Sequence, residues 1–219
     1  MFKVRVVSYS KPAIGVELKD DLLQMVAYCA RVSNPNNQNN EETAEKLVKY
    51  LIKHQHWSPL EMASVCMEID TTRDIARQIL RHRSFSFQEF SQRYADPTKD
   101  LSFVTREARM QDDKNRQNSV DISLDDPIHH IWESYQEVII ERCKHAYEWA
   151  ITAGIAKEQA RAILPEGLTM SRMYVNGTLR SWIHYIQLRA ANGTQKEHQE
   201  IAKACAEAIY QIFPLDDVI

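Results

Sequence analysis

Only five glycines occur in 219 residues, Gly15, Gly154, Gly167, Gly177 and Gly193, and they lie far apart. That scarcity limits the fold more than any other feature. Neither G-x-G-x-x-G nor G-x-x-x-x-G-K-S/T can be drawn through them, so the two commonest glycine-rich phosphate cradles are absent. A nucleotide bound here has to be held by side chains, chiefly arginines, whose planar forks match phosphate oxygens in pairs.

Hydrophobic periodicity supplies the elements. Residues 2–9 (FKVRVVSY) are β-rich and predict a first strand. In 20–32, Leu22, Val26 and Cys29 fall at helical spacing behind Asp20 and Asp21. The stretch SNPNNQNN is a loop, and 41–54 is a helix with Leu47 and Leu51 on one face. In 62–70, Ala63, Val65, Met67 and Ile69 alternate as one face of a strand. A helix is predicted over 72–83. Residues 96–126 are polar and weakly periodic, and predict a surface loop or lid. Pro127 opens a long helix to Ala153, with Ile131, Tyr135, Val138 and Tyr147 facing inward and Gly154 as its stop. A short helix 157–164 and helices near 178–191 and 195–213 complete the chain. With no repeat and no linker, the expectation is one α+β domain over 1–219: a small antiparallel sheet with several packed helices, helix-rich.

Composition excludes several functions. The net charge of -3 makes any basic patch local, which argues against a general nucleic-acid binder. No run of 18 apolar residues predicts a membrane span, and MFKVRVVSYSKP has no signal-peptide pattern. Cys29, Cys66, Cys143 and Cys205 form no C-x-x-C, so neither a disulfide framework nor a zinc knuckle is expected. Buried free thiols in a reducing cytoplasm are the plainer reading. His54-x-His56 has no third ligand at convincing spacing, so no metal site is expected. Trp132, Tyr135, Tyr147 and Trp149 read as core or subunit interface.

The densest chemistry is RHRSFSFQEFSQRY, residues 81–94. Successive helical residues turn by about 100°, so Arg81, His82 and Arg83 cannot share one helix face. Alone they have two readings: a solvated basic helix end complementing the dipole, or a helix end spreading cations around one or two ligands. Arg73, Arg77 and Arg81, four apart, could by themselves form a phosphate-backbone stripe. If 85–93 is extended, Phe85, Phe87, Glu89, Ser91 and Arg93 share one face, and Ser86, Gln88, Phe90 and Gln92 share the other. Neither face is cleanly apolar, so polar groups stand where packing alone would select Val or Ile.

The run Arg81–Ser91 fits R-H-R-x7-S, and in this the chain resembles the flavin-dependent thymidylate synthases, of which that motif is the signature. Further segments agree in order. His56-Trp57-Ser58-Pro59-Leu60-Glu61 resembles the H-x-S/T-P-F/L-E turn, with Trp57 at a variable position. Gln78-Ile79-Leu80-Arg81 resembles Q-x-x-R, and Glu89-Phe90-Ser91-Gln92-Arg93 resembles E-x-S-x-R. Ala160–Pro165 resembles A-R-x-x-L-P, and Asn176 to Arg189 resembles the distal arginine helix. The likeness runs from about Tyr28 to Ile212; residues 96–126 have no secure counterpart.

The resemblance implies reductive methylation of dUMP to dTMP, with FAD as cofactor and NADPH and 5,10-methylenetetrahydrofolate as co-substrates. It implies a cytoplasmic homotetramer with active sites between subunits. Flavin contacts are implied for Ser58, Arg81, His82, Arg83, Glu89, Asn176, Arg180 and His184. Nucleotide contacts are implied for Gln78, Arg81, Glu89, Ser91, Gln92, Arg93, Arg161 and Arg189. The catalytic residue implied is Arg189, beside the uracil ring, favouring ionisation at N3. Some members carry Asn where His184 stands. No cysteine has an adjacent basic motif to activate it, so carbon activation is expected to be electrostatic through Arg189. Ser91 lacks a His–Asp partner pattern and reads as a ligand contact rather than a nucleophile. Two rivals remain. A non-catalytic nucleotide- or RNA-binding module could use the same arginines, though the net charge and the Ser58, Glu89 and Ser91 cluster weigh against it. A folate-dependent tRNA uracil methylase would need the missing glycine-rich fold.

Overall fold

The computed structural model describes residues 2–19 and 21–215. Asp20, expected at the first helix's start, lies outside them; its neighbour Asp21 does cap that helix, accepting from the Leu23 amide at 2.8 Å. The strands are β1 (Lys3–Tyr9), β2 (Ser64–Thr72), β3 (Ser86–Glu89), β4 (Arg109–Gln111), β5 (Ser119–Asp121) and β6 (Met170–Thr178). Four of them form an antiparallel sheet in the order β1-β2-β6-β3. Alternation explains its two faces. Val65, Met67 and Ile69 of β2 and Met173 and Val175 of β6 are buried. On the opposite face Cys66, Glu68 and Asp70 stand beside Asn176, Tyr174 and Arg172, and Arg172 grips Asp70 with two nitrogens at 2.7 and 2.8 Å.

The buried face packs on α1 (Leu22–Ala30), α2 (Ala44–Lys53), α7 (Leu179–Arg189) and α8 (Lys196–Tyr210), with Leu22, Val26, Val48, Trp182 and Ile201 in one core. The α+β class and the helix-rich, small-sheet architecture agree with expectation. Among the described residues no helix is long and apolar enough to cross a membrane.

Four expectations need correction. The helix α3 spans Arg73–Ile79 and not 72–83, because Phe85 is drawn into the core and residues 80–84 must turn to let it enter. The extended run is limited to β3. The amides of Tyr94 and Ala95 both bond the Ser91 carbonyl, and that turn swings Gln92 inward, ending the alternation.

The segment 96–126 is structured and fastened. It holds the single turn α4 (Pro97–Asp100) and the β4–β5 hairpin, and Lys196 bonds both Glu107 (3.1 Å) and Asp121 (3.0 Å). Finally, α5 (Pro127–Thr152) runs nearly as predicted, but Ile131, Tyr135 and Val138 are 56%, 65% and 53% exposed, and only Tyr147 of the expected inward set is buried. Apolar residues lie around much of this helix. Its C-terminal part finds a small core with α6 (Lys157–Ala160) and Leu164.

Candidate active site

Three side-chain clusters gather the expected residues, and the first forms where α3 ends. Phe85 is the anchor: its ring centroid lies 4.6 Å from Trp182 and 5.8 Å from Tyr185. With Phe85 held, Arg81 and Arg83 stay exposed and His82 half-buried, edge-on to Tyr185 at 4.9 Å. The Nε group of Arg189 donates to His82 Nε2 at 2.9 Å. Arginine only donates, so His82 is bare at Nε2 and carries its proton on Nδ1. Burial, then the charges of Arg189 and Arg81, push His82 down to about 4. A neutral imidazole therefore sits among guanidinium groups and orients one of them. Arg189 keeps its terminal nitrogens without a protein partner among the described residues.

The second cluster surrounds Glu89. Ser171 Oγ donates to it at 2.8 Å, and Arg77 and Arg73 lie at 3.1 and 3.5 Å. Both arginines also pair with Glu166. Arg73 is 7% exposed. Two members of the supposed phosphate stripe are thus committed to carboxylates, and α3 stops before the third. This removes the structural basis of a backbone-binding stripe.

The third cluster brings the Ser58 turn onto α7. Residues Ser58–Met62 form a 3-10 turn opened by Pro59. Glu61 pairs with Arg180, and Trp57 meets His184 edge-on at 4.4 Å. Thr178 caps α7, its hydroxyl accepting from the Ser181 amide. Arg180 and His184 point together, as i and i+4 should. Asn176 is exposed on β6, opposite Ser86 of β3 and Cys66 of β2.

Not every expected residue joins a cluster. Arg93 pairs with Glu158 at 3.2 Å, and Arg161 opens the Arg161–Ile163 turn. Gln92 is buried with its Nε2 unpartnered. Ser91 is half-buried and no histidine bonds it. Among the described residues no group of three His, Cys, Asp or Glu side chains is placed to hold a metal ion, and all four cysteines are free.

Sequence reasoning missed Tyr185, Gln195, Glu197, His198 and Arg109, which link to Gln78 and His82. One signal was available. His198 lies in register with Ile201, Ala202, Cys205 and Ile209, all buried, so a polar side chain occupies a core stripe.

The donor set suits a polyanion. Arg81, Arg83, Arg161 and Arg189 form no ion pair with a carboxylate among the described residues, which leaves their charge available to phosphate.

Comparison with known proteins shows the family of the chain. Residues 16–215 match the family described as Thy1, thymidylate synthase complementing protein. The chain is 48% identical over 211 residues to a "probable flavin-dependent thymidylate synthase" of Paramecium bursaria Chlorella virus 1, covering 96% of this chain and 94% of that one. It is 48% identical over 214 residues to the flavin-dependent thymidylate synthase of Synechocystis, covering 96% and 95%. Among solved structures, a "UMP/dUMP methylase PolB" of Streptomyces cacaoi bound with 5-Br UMP superposes with a TM-score of 0.79 at 25% identity, covering 98% of this chain and 91% of that one.

Proposed function

The chain belongs to the family of flavin-dependent thymidylate synthases, and from that premise we propose how its own residues serve the reaction. The enzyme forms dTMP by reductive methylation of dUMP, taking the carbon from 5,10-methylenetetrahydrofolate and the reducing equivalents from NADPH. FAD, when bound, supplies the redox chemistry that links NADPH to the nucleotide carbon.

The observation that carries the site assignment is the Arg189–His82 pair. A neutral histidine takes Arg189 Nε–H and so aims the remaining guanidinium N–H groups. Placed against uracil, these donors hold negative charge at N3 and its flanking oxygens, a cost otherwise met by water. Arg81, Arg83 and His82 would hold flavin, together with the third cluster, Ser58, Arg180 and His184, and with Asn176. Burial and Arg180 both lower the His184 pKa, so His184 would offer flavin a neutral hydrogen-bonding ring.

Gln78, Ser91, Gln92, Arg93 and Arg161 bind the nucleotide; Arg161, free of carboxylates among the described residues, takes its phosphate, and Arg93 exchanges its exposed partner Glu158 for it. Glu89 contributes through the arginines it holds, at the border of both ligands. None of the cysteines serves as a nucleophile: burial raises the pKa of Cys29, Cys66, Cys143 and Cys205, the reverse of activation.

The dispersal of these residues over separate clusters fits active sites completed between subunits of a homotetramer. The exposed apolar residues of α5, including Trp132, Tyr135 and Val138, supply a surface for it. The whole chain 1–219 acts as one cytoplasmic domain. A direct assay tests the reading: purified protein should show flavin absorbance, and form dTMP only when dUMP, methylenetetrahydrofolate and NADPH are all present. Failure to bind FAD, or dTMP formation without flavin, would refute it.

A further inference from the structure

We propose that Glu197 is a positioning residue for the nucleotide: through Gln195 it sets which way round the Gln78 amide lies. The proposal deepens the proposed function and rests on reading Gln78 as a nucleotide contact.

The contacts form one continuous chain across four elements. Arg109 of β4 donates to Glu197 at 2.5 Å. Gln195 Nε2 lies 2.9 Å from the other Glu197 oxygen. Gln78 Nε2 lies 2.8 Å from Gln195 Oε1. His198 Nδ1 is 3.1 Å from Gln78 Oε1, and its Nε2 is 3.1 Å from the Tyr185 hydroxyl.

Shape alone cannot orient an amide or choose a histidine tautomer. Here the chemistry at one end does so. An ionised carboxylate only accepts, so Gln195 must turn its NH2 toward Glu197. Its oxygen then faces Gln78, which must present its own NH2. The Gln78 oxygen therefore faces His198, whose Nδ1 must carry the proton. The bare Nε2 accepts from the Tyr185 hydroxyl. Each link leaves the next one choice, and the Tyr185 end, able to donate or accept, imposes none.

The surroundings keep the chain in this state. Burial works against charge on Glu197, but the α8 N-terminal amide, Gln195 and Arg109 outweigh it and hold the carboxyl below its usual range. His198 is fully buried; burial first, then the charges of Arg189 and His82, push it down to about 3, so it has one ring proton to place. Burial also raises Tyr185, which keeps its proton to donate.

Gln78 is half-exposed and spends one N–H on Gln195 and its oxygen on His198. Its second amide N–H is left for a ligand. The group it meets is an acceptor oxygen of the nucleotide, a ring carbonyl or a phosphate. With the amide reversed, oxygen would stand where that donor is needed, and a buried donor and acceptor would be mismatched.

The test is dUMP titration of the FAD-loaded protein in Gln78→Ala, Glu197→Gln and the double variant, with FAD affinity measured beside it. Glu197→Gln keeps the shape, but Arg109, which only donates, takes the new amide's oxygen and turns its NH2 toward Gln195, so the chain is driven to run the other way. Each single variant should weaken dUMP binding about tenfold, the double should be no weaker than Gln78→Ala, and FAD affinity should stay within about twofold. Wild-type dUMP affinity in Glu197→Gln beside a weakened Gln78→Ala would overturn the proposal. So would losses that multiply in the double variant, or a parallel fall in FAD affinity. Wild-type dUMP affinity in Gln78→Ala would refute the nucleotide reading itself, and the proposal with it. Gln195→Ala breaks the same chain at a half-buried residue, and repeats the test should Glu197→Gln fail to fold; wild-type dUMP affinity there would also overturn it.

Discussion

A Cβ added at Gly177 would stand 2.2 Å from Cδ1 of Phe85, and Phe85 has little room to retreat between Trp182 and Tyr185. Gly177→Ala should therefore destabilise the protein by about 1–3 kcal/mol through overpacking, seen as a lower unfolding midpoint. Because Phe85 anchors the Arg81–Arg83 turn, FAD affinity should fall too; unchanged stability and affinity would show that the ring can move aside. Arg189 offers a second test at this scale. Arg189→Lys retains a cation but loses both the Nε–H that His82 accepts and the guanidinium fork. Turnover should drop by about 100-fold, the typical cost of removing one charge-stabilising donor, with FAD still bound. Near-normal turnover would remove Arg189 from the catalytic role. The identity of these residues was legible from spacing and resemblance. The tautomer of His82 was not, since it depends on a partner 107 positions away.

At the scale of elements, the histidines buried where α3, α7 and α8 meet make stability pH-dependent. His82 and His198 are held near 4 and near 3 in the fold, and an unfolded histidine titrates at about 6.5. Below about 6.5 the unfolded chain binds protons that the native protein refuses, so unfolding gains on folding as pH falls. The thermal midpoint should be level above about pH 7 and decline steadily from about 6.5 toward 4. A midpoint insensitive to pH across that window would show that both rings titrate normally in the fold. The elements themselves were largely legible: β1, β2, α1, α2, α7 and α8 follow from alternation and helical spacing because each buries one face. The inward face of α5 was not legible. Its apolar residues surround the helix, so periodicity could not choose a side. The 96–126 segment escaped too, because ion pairs from Arg106, Arg109 and Lys196 hold it and leave no hydrophobic period to read.

For the whole molecule, Trp132, Tyr135, Val138 and Trp149 are exposed on one helix of a single chain, and assembly would cover them. Tyr135→Glu combined with Val138→Glu should leave the folded subunit nearly as stable, since exposed substitutions cost about 0.5 kcal/mol or less. It should also lower the assembled mass seen by sedimentation and reduce flavin content. A mass equal to that of the unaltered protein would place the subunit contacts elsewhere. By itself the sequence determined the fold class and the family, and it named the arginines on which the proposed chemistry rests. Alternation, helical period and motif order are local properties that survive without coordinates. Only the tertiary structure decided which arginines stay free and which are spent on Glu89, Glu166 and Glu158. It alone decided that His82 is neutral, and that Gln78 is locked through Gln195 to Glu197. Charge and hydrogen-bond direction depend on neighbours within a few ångströms, and the fold draws those neighbours from segments more than 100 residues apart.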